Sequence, residues 1–356
     1  MTDTPRVRLG QTDVKLDRAA FGERFRNRFY DPAFDRSDAE IAALEEIAWH
    51  TYDDYHKSPR TRKAGAGFAD PEYELPIEWL EARARILEAE QRQRVAARPR
   101  VLVICASPRT DQTCPGEMSK SFRLARIAAE EIEGAEADVD FLDLSRLTAE
   151  YGRVIYPCKS CVSTAMPLCH WPCSCYPNHA IGQVNDWMND LYPRWVEAHG
   201  VLIVSPVQWY QAPGTLKLMM DRLVCADGGN PDPTSTHGKT PDEAKALELK
   251  GWPYPRHLAN RAFAVIVHGD AAGVENLTYA LAGWLSDMHL IPAENAVLGR
   301  YVGYYEPYAT SHDALDADTA LMENTRQAAR ALLVTIASIR SGAHPALRRE
   351  EDPRPK

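Results

Sequence analysis

The sequence predicts an α/β protein built on a doubly wound, five-stranded parallel sheet. Apolar runs at 101–104, 201–205 and 262–268, with weaker ones at 137–144 and 291–301, alternate with stretches of helical periodicity. Two of these runs end in Ser-Pro, at Ser107–Pro108 and at Ser205–Pro206. In an open sheet of strand order 2-1-3-4-5 those two strands are neighbours, and the crevice beyond their carboxyl ends is the expected ligand site.

Residues 1–37 are polar and are expected to be irregular, with Phe21, Phe25, Phe29 and Tyr30 anchoring an arm to a surface. Ser37, followed by Glu40, is a helix N-cap candidate, and Ile41, Leu44, Ile47 and Ala48 extend one apolar face to about Tyr55. A second helix is expected over Pro76–Val95, where Trp79, Leu80, Ala84, Leu87 and Ala89 share a side. Two helices and a turn bury little, so this N-terminal helical arm, 1–96, is expected to pack on the next domain or on a partner subunit.

The main domain, 97–342, opens with Val101–Ile104, whose unbroken apolar run fits a strand buried on both faces. Pro108 ends that ladder, and Ser119 begins a helix to Glu131 through Phe122, Leu124, Ala125, Ile127 and Ala128. Residues 137–144 alternate like an edge strand, and a cysteine-rich insertion, 156–180, follows. Trp187, Leu191 and Trp195 predict a helix over 184–198, with Pro193 as a kink or stop. After the strand at 201–205, a helix covers Thr215–Val224, and a long loop at 226–260 holds one short helix near Pro241–Leu249. Ala262–His268 is the fourth strand. The last, within Ile291–Tyr301, is expected to start late because of Pro292. One long helix, Asp313–Arg340, and a loosely held tail, 343–356, close the chain.

A chain of 356 residues with 45% hydrophobic content can bury a large core. Its formal charge of −9 argues against a nucleic-acid surface. The absence of a leader pattern or an 18-residue apolar segment makes a soluble cytoplasmic protein, with no membrane partner, the expectation.

The loops carry the chemistry. Beyond the first strand, Ser107, Arg109, Ser119 and Ser121 bring hydroxyls, a guanidinium and the free amides of a helix start to one place, which suits a phosphate. Beyond the third strand, Pro206, Val207, Gln208, Trp209 and Tyr210 offer amides and aromatic faces to a planar ring. Gly269, Asp270 and Gly273, in the loop HGDAAG, let backbone approach the same ligand. GxGxxG and GxxxxGK[ST] are both missing, which disfavours a dinucleotide fold or a nucleoside triphosphatase.

These two loops resemble those of the NAD(P)H-dependent FMN reductase group of the flavodoxin-like superfamily. ASPRTDQTCPGEMSKS stands where that group has GSxR followed by a Ser or Thr at the helix start, with Ala106 in the glycine position and several extra residues. SPxYxxxxxGxLKxxxDR matches Ser205 to Arg222 closely, with Gly214, Leu216, Lys217, Asp221 and Arg222 in place and Trp209 and Tyr210 beside the tyrosine position. The resemblance implies a flavodoxin-like fold, FMN as cofactor and NAD(P)H as co-substrate. Phosphate contacts fall on Ser107, Arg109, Ser119 and Ser121, and Pro206 to Tyr210 line the isoalloxazine, with Trp209 or Tyr210 guarding its face. The implied enzyme reduces a small acceptor such as a quinone, nitro compound, metal ion or flavin, and works as a dimer or larger homo-oligomer.

Cys158, Cys161, Cys169, Cys173 and Cys175 crowd one segment. Soft sulfur ligands at this density suit a [4Fe-4S] cluster or structural zinc, and thiols without metal are the third possibility. The position resembles that of the cysteine motif in iron-sulfur flavoproteins, although the spacing differs. An iron-sulfur flavoprotein passing single electrons to a redox partner is therefore an alternative, and a non-catalytic assembly protein with an empty pocket is another. His170 reads as a surface residue, and Cys114 as a loop thiol near the phosphate site.

Overall fold

The computed structural model describes residues 10–54, 60–112, 116–176 and 186–344. The chain divides into two compact units: residues 1–81, 159–186 and 230–252 form one, and residues 82–158, 187–229 and 253–356 the other.

The first unit begins with helices Arg18–Arg26 and Asp38–Asp53. Residues 18–37, expected to be irregular, are thus largely helical, ending in 3-10 turns at Asn27–Phe29 and Pro32–Ser37. Asp17 starts the first helix by accepting the Ala20 amide hydrogen at 2.8 Å. Phe21 and Phe25 pack with Ile41 and Ala48 in a small core of their own, against Trp49 and Tyr52. Ser37 precedes the second helix without capping it through its side chain. The strands β1 (Thr61–Lys63) and β2 (Glu74–Pro76) pair antiparallel. Beyond them Trp79 is buried and donates its indole hydrogen to the Pro172 carbonyl at 2.8 Å.

The second unit holds a parallel sheet of β3 (Arg100–Cys105), β4 (Asp138–Asp143), β5 (Gly200–Pro206), β6 (Ala262–Gly269) and β7 (Ile291–Tyr301). Its order is β4-β3-β5-β6-β7, the flavodoxin-like arrangement. The strands with Ser-Pro endings, β3 and β5, are neighbours, with Val101 opposite Gly200 and Cys105 opposite Val204. All of β6 is buried, whereas β4 and β7 at the edges are only partly so. That difference explains the continuous apolar runs of the inner strands and the mixed ones outside. Burying each Val, Leu or Ile of the inner strands contributes roughly 1.5–3 kcal/mol.

One face of the sheet, with Val103, Leu202, Ala264 and Ile266, packs on helices Lys120–Gly134 and Thr319–Arg340 through Leu124, Ala128, Ala329 and Leu332. Helix Val274–Asp287 packs on β6 and β7. A Cβ on Gly200 would stand 2.6 Å from Ile336 Cδ1, so glycine permits the close seat of the last helix at that point. β7 begins at Ile291, earlier than Pro292 led one to expect. Pro292 is tolerated because the strand lies at the sheet's edge, and its register with β6 slips between Phe263 and Val265. The expected helix 313–340 is two, Ser311–Ala317 and Thr319–Arg340. Asp318 divides them and caps the second by accepting the Leu321 amide hydrogen at 2.8 Å.

Candidate functional site

The site lies where β3, β5 and β6 end together. Ala106 still donates its amide hydrogen to Val204 at 2.9 Å, and then the chain turns away. Ser107 Oγ accepts the Arg109 amide hydrogen at 3.2 Å, which folds the turn back on itself. The Arg109 guanidinium donates to the Glu117 carbonyl at 3.1 Å and stands 3.6 Å from its carboxylate, so it ties the two sides of the loop together. Ser119, in extended conformation, caps helix Lys120–Gly134 by accepting the Phe122 amide hydrogen at 3.1 Å. Ser121, in the first turn of that helix, shares a 2.7 Å hydrogen bond with His268 Nε2 at the end of β6.

The second loop leaves β5 through Pro206. Val207 donates to the His268 carbonyl at 2.9 Å, and Gln208 and Gln211 exchange backbone hydrogen bonds at 3.0 and 2.9 Å. That closed turn throws Trp209 and Tyr210 outward with φ of 47° and 66°, a conformation that costs a bulky side chain on the order of 1–3 kcal/mol. Trp209 is 95% exposed and Tyr210 53%. In the third loop, Gly273 has φ of 113°, and a Cβ there would lie 2.9 Å from Tyr210 Cα. Only glycine lets these two loops approach so closely.

Together the loops enclose a cavity of about 260 Å³. Ser107, Arg109, Ser119 and Ser121 line it from the first loop, Pro206, Val207 and Gln208 from the second, and Gly269 and Asp270 from the third. Trp209, Tyr210 and Gly273 stand outside the lining, with Tyr210 held against Gly273. Lys120, His268 and Val302 belong to the lining although sequence reasoning did not single them out. For Lys120 the cue was its place directly after the capping Ser119. For His268 it was the first position of the HGD loop.

Burial pushes the His268 imidazole down to about 3, helped by the nearby charges of Lys120 and His312, so the ring is neutral at ordinary pH. Burial also lowers Lys120, while Asp270 and Glu117 pull it back toward the charged form. Cys105, beneath the site, is raised by burial to about 12 and is an inert thiol. Hydroxyls, two cationic side chains and a helix start around one small cavity make a donor set suited to a phosphate. FMN fits that set: Ser107, Arg109, Ser119, Lys120 and Ser121 are placed to hold its phosphate.

In the cysteine-rich segment thiols are hydrogen-bonded to one another. Cys161 hydrogen-bonds to Cys169 and Cys175, and Cys175 to Cys173. The ammonium of Lys239 stands against them, 3.5 Å from Cys161 Sγ, and donates to the Leu168 carbonyl at 2.7 Å. These thiols face one another and a cation, and among the described residues no group of three or more His, Cys, Asp or Glu side chains is arranged to hold a metal ion. Cys158 is half-buried and falls in the other unit. His170, expected at the surface, is buried and hydrogen-bonds to Ser174 and Thr236. Cys114 lies outside the described residues.

A flavodoxin-like sheet with a crevice at its switch point is the architecture of a class of flavin mononucleotide proteins. Residues 99–302 match the family described as NADPH-dependent FMN reductase, and the chain belongs to that family. It is accordingly an NAD(P)H-dependent FMN oxidoreductase by family. Among solved structures it is similar to RosB with bound 8-demethyl-8-formylriboflavin-5'-phosphate, at 12% identity over 68% of this chain and 81% of that one, TM-score 0.45. It is also similar to the NADH:FMN oxidoreductase EMOB, at 16% identity over 72% and 97%, TM-score 0.36. A WrbA-like flavodoxin from Agrobacterium tumefaciens shares 11% identity over 67% and 98%, TM-score 0.33. No curated protein matches. No described helix is long and apolar enough to cross a membrane.

Proposed function

We propose that the chain holds FMN with its phosphate among Ser107, Arg109, Ser119, Lys120 and Ser121, and uses NADH or NADPH to reduce a small acceptor. The observation that carries this reading is the convergence of all three carboxyl-end loops on one cavity. When bound, FMN supplies the two-electron chemistry, accepting hydride from the nicotinamide and passing electrons on. The protein's part is to bind and orient. Arg109 and Lys120 answer the phosphate charge, and the hydroxyl groups fix its position. Neutral His268 holds Ser121 in place without adding a charge beneath the site. The backbone of Pro206–Gln208 and Gly269 would hold the rest of the cofactor, and Trp209 and Tyr210, exposed beside the cavity, would guard the ring's face.

The one hydroxyl–imidazole pair among the described lining residues, Ser121 with His268, has a ring held at a pKa of about 3 and too weakly basic to activate the serine, which suits a hydride transfer in which the cofactor carries the chemistry. The acceptors that fit this reading are quinones, nitro compounds, metal ions and free flavin. A dimer or larger homo-oligomer would cover the exposed Trp209 and Tyr210. Reconstitution tests the proposal. Protein incubated with FMN and desalted should stay yellow and bleach on anaerobic addition of NADPH or NADH; a colourless protein after desalting would overturn it.

A further inference from the structure

A second cavity, of about 380 Å³, opens at the opposite end of the same sheet. Arg94, His199, Asn260, Arg261, Ile336 and Arg340 line it. His199 and Arg261 immediately precede β5 and β6, whereas the flavin loops follow those strands. A strand of 7 residues separates the two sites, about 20 Å at the usual rise. No carboxylate is among the lining side chains, and three guanidiniums are.

Arg261 is the distinctive member. It is only 6% exposed, and its donors go to backbone carbonyls: Val196 at 2.6 Å, His257 at 3.3 Å and Ala259 at 3.4 Å. Its Nε has no hydrogen-bond acceptor among the described residues. A cation buried with neutral carbonyls as hydrogen-bond partners, and with the Glu90 carboxylate acting on it through space, would be balanced further by an anion in the adjoining cavity. Arg340 likewise donates to carbonyls, those of Ala96 and Ala97. Arg94 meets a carboxylate only at 3.7 Å, that of Glu90. His199 accepts the Arg100 amide hydrogen at Nδ1 and bonds the Gln93 carbonyl through Nε2, both at 3.1 Å. Its ring stays neutral, so the cationic character of the cavity rests on the guanidiniums. Ile336 supplies an apolar wall beside them.

We propose that this cavity is an anion site for the phosphate group of a small phosphomonoester whose organic part rests on Ile336. Three guanidiniums match a dianion better than a single negative charge, and their planar forks suit phosphate oxygens. The site is separate from the flavin crevice and the proposal does not depend on the reading of that crevice.

The test is equilibrium dialysis of the full chain with labelled inorganic phosphate, FMN being present throughout to fill the other anion site. Phenyl phosphate and succinate serve as competitors. Saturable phosphate binding is expected, displaced by phenyl phosphate at lower concentration than by succinate, and weakened at least tenfold in Arg340→Glu. Arg94→Ala provides a milder second variant, expected to weaken binding severalfold, and circular dichroism checks that both fold. Absence of saturable binding, or binding unchanged in both folded variants, would overturn the proposal. Stronger competition by succinate than by phenyl phosphate would overturn the assigned ligand class.

Discussion

His268 joins the crevice at the strand ends to the folding free energy, because its neutral ring is buried against Ser121. Its folded pKa lies near 3, below the ordinary histidine value, so between about 3 and about 6.5 the unfolded chain binds the extra proton. Stability therefore rises with pH across that window and is lost as pH falls. Burial of His257 adds in the same direction. Urea denaturation of the FMN-free chain at pH 7.5 and at pH 5 should show a drop of about 1 kcal/mol or more, partly relieved in His268→Gln. At the other extreme of exposure, Trp209→Ala should leave stability within about 0.5 kcal/mol of the parent while altering turnover, as urea denaturation and steady-state kinetics would show. The residues that sequence made legible here, Ser107, Arg109, Ser119 and Ser121, announce themselves by chemical type at a strand end. Lys120 and His268 did not, because a lysine in a helix and a histidine after a strand are ordinary until packing brings them to one cavity.

At the level of elements, the crevice depends on three turns whose backbones nearly touch. Gly273→Ala places a Cβ about 2.9 Å from Tyr210 Cα and asks alanine to hold φ of 113°. It should destabilise the chain by more than about 1 kcal/mol and weaken FMN binding, both measurable by fluorescence titration and thermal melting. Gly200→Val puts its added carbon against Ile336, on the face where helix Thr319–Arg340 seats, and should cost about 1–3 kcal/mol without acting directly on the distant flavin loops. Strands β3, β5 and β6 were legible because each holds an unbroken apolar run, and the edge strand β4 because it alternates. Helix Arg18–Arg26 was missed because its apolar face is short, and Phe21 is packed against Trp49 and Tyr52 far along the chain. The break at Asp318 was missed for a related reason: alanine-rich sequence continues on both sides, and only the cap formed with Leu321 interrupts it.

Over the whole molecule, sequence order and spatial grouping differ. The segments 159–186 and 230–252, read as an insertion and a loop, fall in the same compact unit as the first 81 residues. Asn230 shows how: it accepts from Trp171 and donates to Cys169, each at 2.7 Å, and these bonds bind stretches sixty residues apart. Such pairing leaves no periodic trace, so composition alone could mark the segment as rich in sulfur but not as hydrogen-bonded around Lys239. The sheet, in contrast, follows from strand order and loop chemistry, and it brings Ser107, Arg109, Ser119 and Ser121 to one cavity. The most direct test of that placement compares FMN with riboflavin, which differ only in the phosphate, by fluorescence titration of the parent chain and of Arg109→Ala. The account predicts that the parent binds FMN at least about tenfold more tightly, over 1.4 kcal/mol, and that the variant loses most of that preference. Equal affinity of the parent for FMN and riboflavin would contradict it.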